Sequence, residues 1–416
     1  MKDNAQMSLK LFILFFIFEM FLFADFKAKI INKKTMQPLS DAFVSDSKHS
    51  VKSDKNGLFV IDTSEDKLHI KAYGFRRKSI DVDSNVKIIY VEPIRVKALY
   101  LTFWGASMRS KTLKKVVDII DETQVNAVVV DVKNEYGSTV YKTSVKQANS
   151  YGAHKKRTNR CIDKFINLMK EKNIYTIARI VTFKDELQAS NNEDYAIKKQ
   201  NGEIWRNHDD MGWVDPFDKR SHSYTLAIAE DAAKVGFDEI NFDYIRFPAK
   251  KGLLLKMKNT QQNRISAIEE FLKNAQNRLR KYGVFISVDT YGNVCWERGD
   301  TGIGQSIESL AKYSDYICPM LYPSGFAKGS FYFKHPSKHP YDVVFRSIKN
   351  ILNRVDSNRI RPWLQYFKDY AHSKHHYKRF EIQEQIRAAD ELNTNGWMFW
   401  SPSSKYQKSY LVQEQE

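Results

Sequence analysis

Three cysteines in 416 residues, Cys161, Cys295 and Cys318, are too few and too scattered for a disulfide framework or a zinc site. Cys161 and Cys318 fall in apolar periodic segments and read as small packing groups. No tryptophan precedes Trp104, so all seven belong to the later part of the chain. HExxH, G-x-S-x-G and P-loop patterns are all absent, which removes the metalloprotease, serine-hydrolase and nucleotide-binding chemistries that need them. No basic block resembles a nucleic-acid tail, and no zinc-finger or RNA-binding signature occurs, so nucleic acid is not an expected partner. His335, His339, His372, His375 and His376 lie in Lys-, Ser- and Tyr-rich stretches and read as exposed loop residues rather than metal ligands. Neither a metal nor a cofactor is expected.

What is present is a large core. Hydrophobic residues make up 42% of the chain, enough to exclude wholesale disorder. The net charge is +17, which favours anionic partners such as acidic polymers or phospholipid surfaces, or else simply keeps the protein soluble. The one apolar run of note is N-terminal: Lys10 precedes Leu11–Phe18, and a second stretch ends at Phe23-Ala24 before Asp25. A charged start, an apolar core and a small residue predict a secretory signal over residues 1–24. Glu19 interrupts the run, disfavouring a spanning helix, although an uncleaved anchor stays open. Export to the periplasm, cell envelope or medium is the expectation.

Residues 25–94 alternate with a period of two between turn signals, with Ser53-Asp54-Lys55-Asn56-Gly57 the strongest of these, and predict a small β-sandwich. The stretches PLSDAFV, SDKNGLFVI and LHIKAYGFRRKSIDV resemble the carboxypeptidase regulatory-like fold, which implies a non-catalytic module. From about Val96 the period changes. Eight short apolar strands alternate with amphipathic helical stretches, which predicts a (β/α)8 barrel of TIM type over residues 95–404. An open doubly wound sheet is the alternative, but no Gly-rich phosphate loop follows the first strand. Residues 405–416 read as a polar C-terminal tail.

Barrel strands alternate between interior and helix-facing side chains. Val128, Val130 and Val132 set the parity of the second strand and send Asp131 and Lys133 inward. Ala178 and Ile180 do the same for Arg179 on the third. Ile240, Phe242 and Tyr244 turn Glu239, Asn241 and Asp243 in, and Val284, Ile286 and Val288 turn Ser287 and Asp289 in. Asp131, Arg179, Asp243 and Asp289 therefore meet at strand ends, where barrel active sites are built. Arg179 and Arg246 are the candidate partners of these carboxylates. A buried ion pair accounts for any one aspartate, whereas several at one rim point to a site. Paired carboxylates are what glycosidic cleavage needs: one protonates the leaving oxygen and the other stabilises or attacks the anomeric carbon. Trp104, Trp296, Trp400, Tyr291 and Tyr322 fall at the same rim, where flat rings stack on sugars. Trp363 and Trp397 read as core filling.

The stretches VVVDVKNEYG, WVDPF, EINFDYIRFP, ISVDTYG, DYICPMLYPSGF and GWMFWS are similar to the motifs of a bacterial family of (β/α)8 glycoside hydrolases, from about Val96 to Ser401. The resemblance, with the α-amylase-like barrels as analogy, implies Asp243 as nucleophile or stabilising carboxylate, with Arg246 beside it. It places the acid at Asp289, where many such barrels carry Glu, and Asp131 and Glu135 remain rivals for that role. The implied activity is hydrolysis of a polysaccharide or cell-envelope glycan, an anionic one among the candidates. The rival reading is a non-catalytic glycan- or envelope-binding barrel. A third is another sugar enzyme such as an epimerase or a deacetylase, the last needing an Asp/His metal site that the strand ends do not offer. The oligomeric state is not legible.

Overall fold

The computed structural model of the protein describes residues 24–82, 85–371 and 373–412. The apolar N-terminal segment read as a signal, and His372, lie outside the described residues.

Period-two alternation in the first segment produces seven strands: β1 (Ala24–Asn32), β2 (Phe43–Ser45), β3 (Ser50–Lys52), β4 (Leu58–Thr63), β5 (Lys67–Lys71), β6 (Lys78–Asp81) and β7 (Ile88–Val91). They pair into two sheets, ordered β4-β1-β7 and β3-β2-β5-β6. Phe26, Ile30, Phe59, Ile61 and Ile89 from the first sheet meet Val44, Leu68 and Ile70 from the second in one core. The expected tight turn is there. Asp54 Oδ1 accepts from Asn56 N and Leu58 N, and Gly57 takes a positive φ of 74° that a side chain would strain. The very short β3 and β6 show no readable period in the sequence.

The remaining strands are β8 (Val96–Leu101), β9 (Ala127–Lys133), β10 (Tyr175–Val181), β11 (Glu239–Asp243), β12 (Phe285–Tyr291), β13 (Tyr316–Met320), β14 (Trp363–Gln365) and β15 (Gly396–Trp400). All neighbours are parallel, and β15 pairs with β8 to close an eight-stranded barrel, so the open-sheet alternative is excluded. Helices such as Lys111–Glu122, Ile162–Glu171, Lys219–Val235, Gln261–Leu279, Pro340–Ile351 and Arg379–Glu391 form the outer layer. β14 is only three residues long and begins straight after Pro362, which has no N–H to give the ladder.

Strand parity holds for the valines. Val128, Val130, Val132, Ile240, Phe242, Ile286 and Val288 pack in the outer core, while Val129, Ile177, Phe285 and Met398 pack inside the barrel. Lys133 is a correction to the inward set. Arg179 pairs with Asp131 and Ile180 with Lys133, which leaves Val132 as an extra residue in a bulge. The bulge turns Lys133 away from the barrel interior, where its Nζ meets Asp185 Oδ2 at 2.7 Å and lies 5.9 Å from the Tyr224 ring. A buried ammonium needs such a partner.

The sandwich is docked on the base of the barrel, at the N-terminal ends of its strands. Lys71 Nζ pairs with Asp315 at 2.8 Å, Gly74 N donates to the Tyr316 hydroxyl, and Tyr73 packs edge-on against Tyr316. His69 Nε2 lies 2.9 Å from Lys281 O. At the other end, the segment read as a polar tail returns to the barrel: Tyr406 donates to Tyr100 O and Leu411 is fully buried.

Barrel closure has one point of extreme proximity. Gly396, at φ +78°, begins β15 so close to β8 that an added Cβ would lie 2.0 Å from Val96 O. Gly396→Ala must therefore displace the backbone of the closing pair, at an expected cost of at least about 3 kcal/mol. Chemical denaturation checks this, and an unchanged midpoint would show that the closing pair yields freely.

Candidate active site

The site is assembled around one guanidinium. Arg179, on β10, is buried and reaches three carboxylates from neighbouring segments. Its Nη1 donates to Asp131 Oδ1 on β9, its Nη2 to Glu135 Oε1 at 3.0 Å, and its Nε and Nη2 to Asp243 Oδ2 on β11 at 3.0 and 2.6 Å. Tyr100 Oη completes Asp131 at 3.2 Å, and the Arg179 guanidinium lies 5.0 Å from the Trp400 ring. Three carboxylates on one cation cannot all ionise freely, and the cluster divides the strain unevenly. Burial, with the charge of Glu135 adding to it, pushes Asp131 up to about 7 despite the opposition of Arg179. Glu135 also feels burial, but the charge and hydrogen bond of Arg179 outweigh it and hold Glu135 below the usual glutamate range.

Asp289, on β12, is held differently. Its Oδ1 accepts from Asn241 Nδ2 at 2.8 Å and from Trp363 Nε1 at 2.7 Å. Burial, followed by the charge of Asp243, raises its pKa well above the usual carboxylate range. With Oδ1 occupied by two donors, Oδ2 is the atom left to carry the proton. A carboxyl group whose proton is held more tightly than usual and a cluster of guanidinium-bound carboxylates therefore face one another.

Both border a single cleft of about 210 Å³, lined by Glu135, Arg179, Asp243, Tyr244, Arg246, Asp289, Tyr291, Met320, Tyr322, Trp363 and Trp400. Tyr244 takes a positive φ of 49° straight after Asp243, and its N–H donates to Asp243 Oδ1 at 2.6 Å. Such strain in a non-glycine residue is characteristic of functional sites. Burial raises the pKa of the Tyr322 phenol well above its usual range, and the charge of Asp243 adds to it.

Eight of the eleven residues expected at the site thus line the cleft: Asp243, Asp289, Arg179, Arg246, Glu135, Tyr291, Tyr322 and Trp400. Asp131 lies behind Arg179 and touches the cleft only through it. Trp104 and Trp296 do not border it. Trp104 is 69% exposed against the edge of Phe103, and Trp296 bonds to Ser347 on a different helix face. Trp363, read from the sequence as core filling, is the opposite case: it is buried, yet it borders the cleft and holds Asp289. Asn241 and Tyr100 also act on the carboxylates and were not singled out, although the inward parity of Asn241 was readable. Among the described residues no group of three or more His, Cys, Asp or Glu could hold a metal ion.

The barrel superposes on the glycoside hydrolase domain of PgaB (BpsB) from Bordetella bronchiseptica with a TM-score of 0.56 and 13% identity, covering 78% of this chain and 100% of that one, so the two share a fold. A protein from Ruminiclostridium thermocellum is 34% identical over 46% of this chain and 96% of its own, at a TM-score of 0.41. A chitinase from Chromobacterium violaceum is 10% identical over 76% of this chain and 96% of its own, at 0.44. A search of curated proteins gave no match. Residues 98–406, which hold the whole cleft, match the family model described as "Putative glycosyl hydrolase domain", and the chain belongs to that family.

Proposed function

We propose that the barrel hydrolyses glycosidic bonds of a polysaccharide, with Asp289 donating the proton to the leaving oxygen and Asp243 supporting the anomeric carbon. The observation that carries this is the placement of Asp289, its pKa raised by burial and by Asp243, beside a guanidinium-bound Asp243 in one cleft. Cleavage needs one carboxyl group as proton donor and a second facing the anomeric carbon, and the raised pKa of Asp289 suits it to the first task. Asp243 Oδ2 accepts two bonds from Arg179 and borders the cleft where positive charge develops in an oxocarbenium-like transition state. The rivals for the acid fit less well. Glu135 is held ionised, and Asp131 does not reach the cleft. Tyr291, Tyr322 and Trp400 supply aromatic surface for sugar rings. An apolar N-terminal segment fits export, which would place the substrate in the envelope or outside the cell.

A glycan-binding barrel without turnover is the second reading, favoured by the two bonds that tie Asp243 Oδ2 to Arg179. Reducing-end release from a polysaccharide panel separates the two. New ends should accumulate with the protein and not with Asp289→Asn, whereas retention of a glycan with no new ends from any member of the panel would leave binding alone.

A further inference from the structure

Arg246 brings a second guanidinium to the cleft. Its guanidinium lies 4.9 Å from the Trp213 ring, 5.0 Å from Tyr244 and 4.7 Å from Tyr291, so three aromatic rings fix its position. Its hydrogen bond runs from Nη1 to Phe247 O at 3.1 Å. Among the described residues no carboxylate pairs with it, whereas Arg179 in the same cleft is committed to three. Only 8% of Arg246 is exposed, and what is exposed borders the cleft.

A guanidinium carries five N–H donors in a rigid fork, and leaving most of them without acceptors in a confined space is costly. The group that matches the fork is a carboxylate, taken two-pronged. The cation–π contacts orient the fork without using its donors. Asp243 and Glu135 face the same cleft, but each is bonded to Arg179, so an incoming anion finds its attraction on the Arg246 side. The net charge of +17 draws acidic polymers toward the molecule as a whole.

We infer that Arg246 is a specificity residue that receives the carboxylate of an acidic sugar, so that the glycan taken by this cleft contains uronate-type residues. The inference rests on the cleft being a glycan site and deepens the hydrolase reading by naming its substrate class. The test uses oligogalacturonate, oligoglucuronate and oligomannuronate, each paired with its carboxyl-reduced neutral twin, bound at equilibrium to the full chain carrying Asp289→Asn. At least one uronate form should bind about tenfold or more tightly than its twin, with the margin shrinking as salt rises. Adding Arg246→Gln should abolish the margin while changing affinity for the neutral twin far less. Arg246→Lys, which keeps charge without the fork, should retain part of it. Equal binding of the twins, equal loss of both in Arg246→Gln, or binding of no member of the panel overturns the inference. Turnover by the unsubstituted protein is scored separately. Cleavage of neutral glycans with no preference for acid forms would sink the uronate assignment and leave the hydrolase standing, whereas an acid preference in binding without turnover would do the reverse.

Discussion

Asp289→Asn should lower turnover of a natural glycan on the order of a thousandfold while leaving the fold intact. The substitution is close to isosteric, and an amide oxygen can still accept from Asn241 and Trp363 as Oδ1 does now. What disappears is the proton for the leaving oxygen. An aryl glycoside with an acidic phenol needs little protonation and should escape much of the loss, so the ratio of the two substrates is the diagnostic measurement. The pH dependence has a definite sign. Asp289 acts as acid only while protonated, and its pKa is raised by burial and by Asp243. Activity should therefore persist above the usual carboxylate range and fall as pH rises through the raised pKa. In Asp289→Asn that limb should vanish. A limb unmoved by the substitution would assign the acid elsewhere.

A loss of at least about a thousandfold is also expected for Asp243→Asn, because the carboxylate acts where positive charge develops in the transition state. Stability should barely change. Arg179 keeps Asp131 and Glu135 as partners, so no buried cation is stranded, and one of three crowded negative charges is removed. The same removal takes away the Asp243 contribution to the raised pKa of Asp289, so any residual activity should lose its basic limb at lower pH than in the unsubstituted protein. Kinetics and thermal melting of this one variant distinguish the roles. A collapsed melting temperature with normal specific activity would mean that Asp243 serves only the ion pair.

The inward set Asp131, Arg179, Asp243 and Asp289 was legible because valines and isoleucines fix the parity of each strand, and parity within a strand is a local property. Lys133 shows where that ends. A bulge depends on how β9 registers against β10, and no pattern within either strand records it. Trp363 was hidden for a different reason. Burial of tryptophan has the same sequence signature whether the indole N–H is idle or holds a carboxylate. The cage around Arg246 could not be read either, since Trp213 arrives from a loop more than thirty positions earlier and no periodicity links them. For Trp104 and Trp296, position after a strand indicated the correct end of the barrel but not the direction in which the ring points.

The docking of the sandwich gives the molecule a front and a back. β1 begins at Ala24 and its sandwich covers the base, through contacts such as Lys71 with Asp315, while the cleft opens at the C-terminal strand ends on the opposite side. The two faces are therefore separate, and a polymer lying across the mouth meets the loops after the strands without meeting the sandwich.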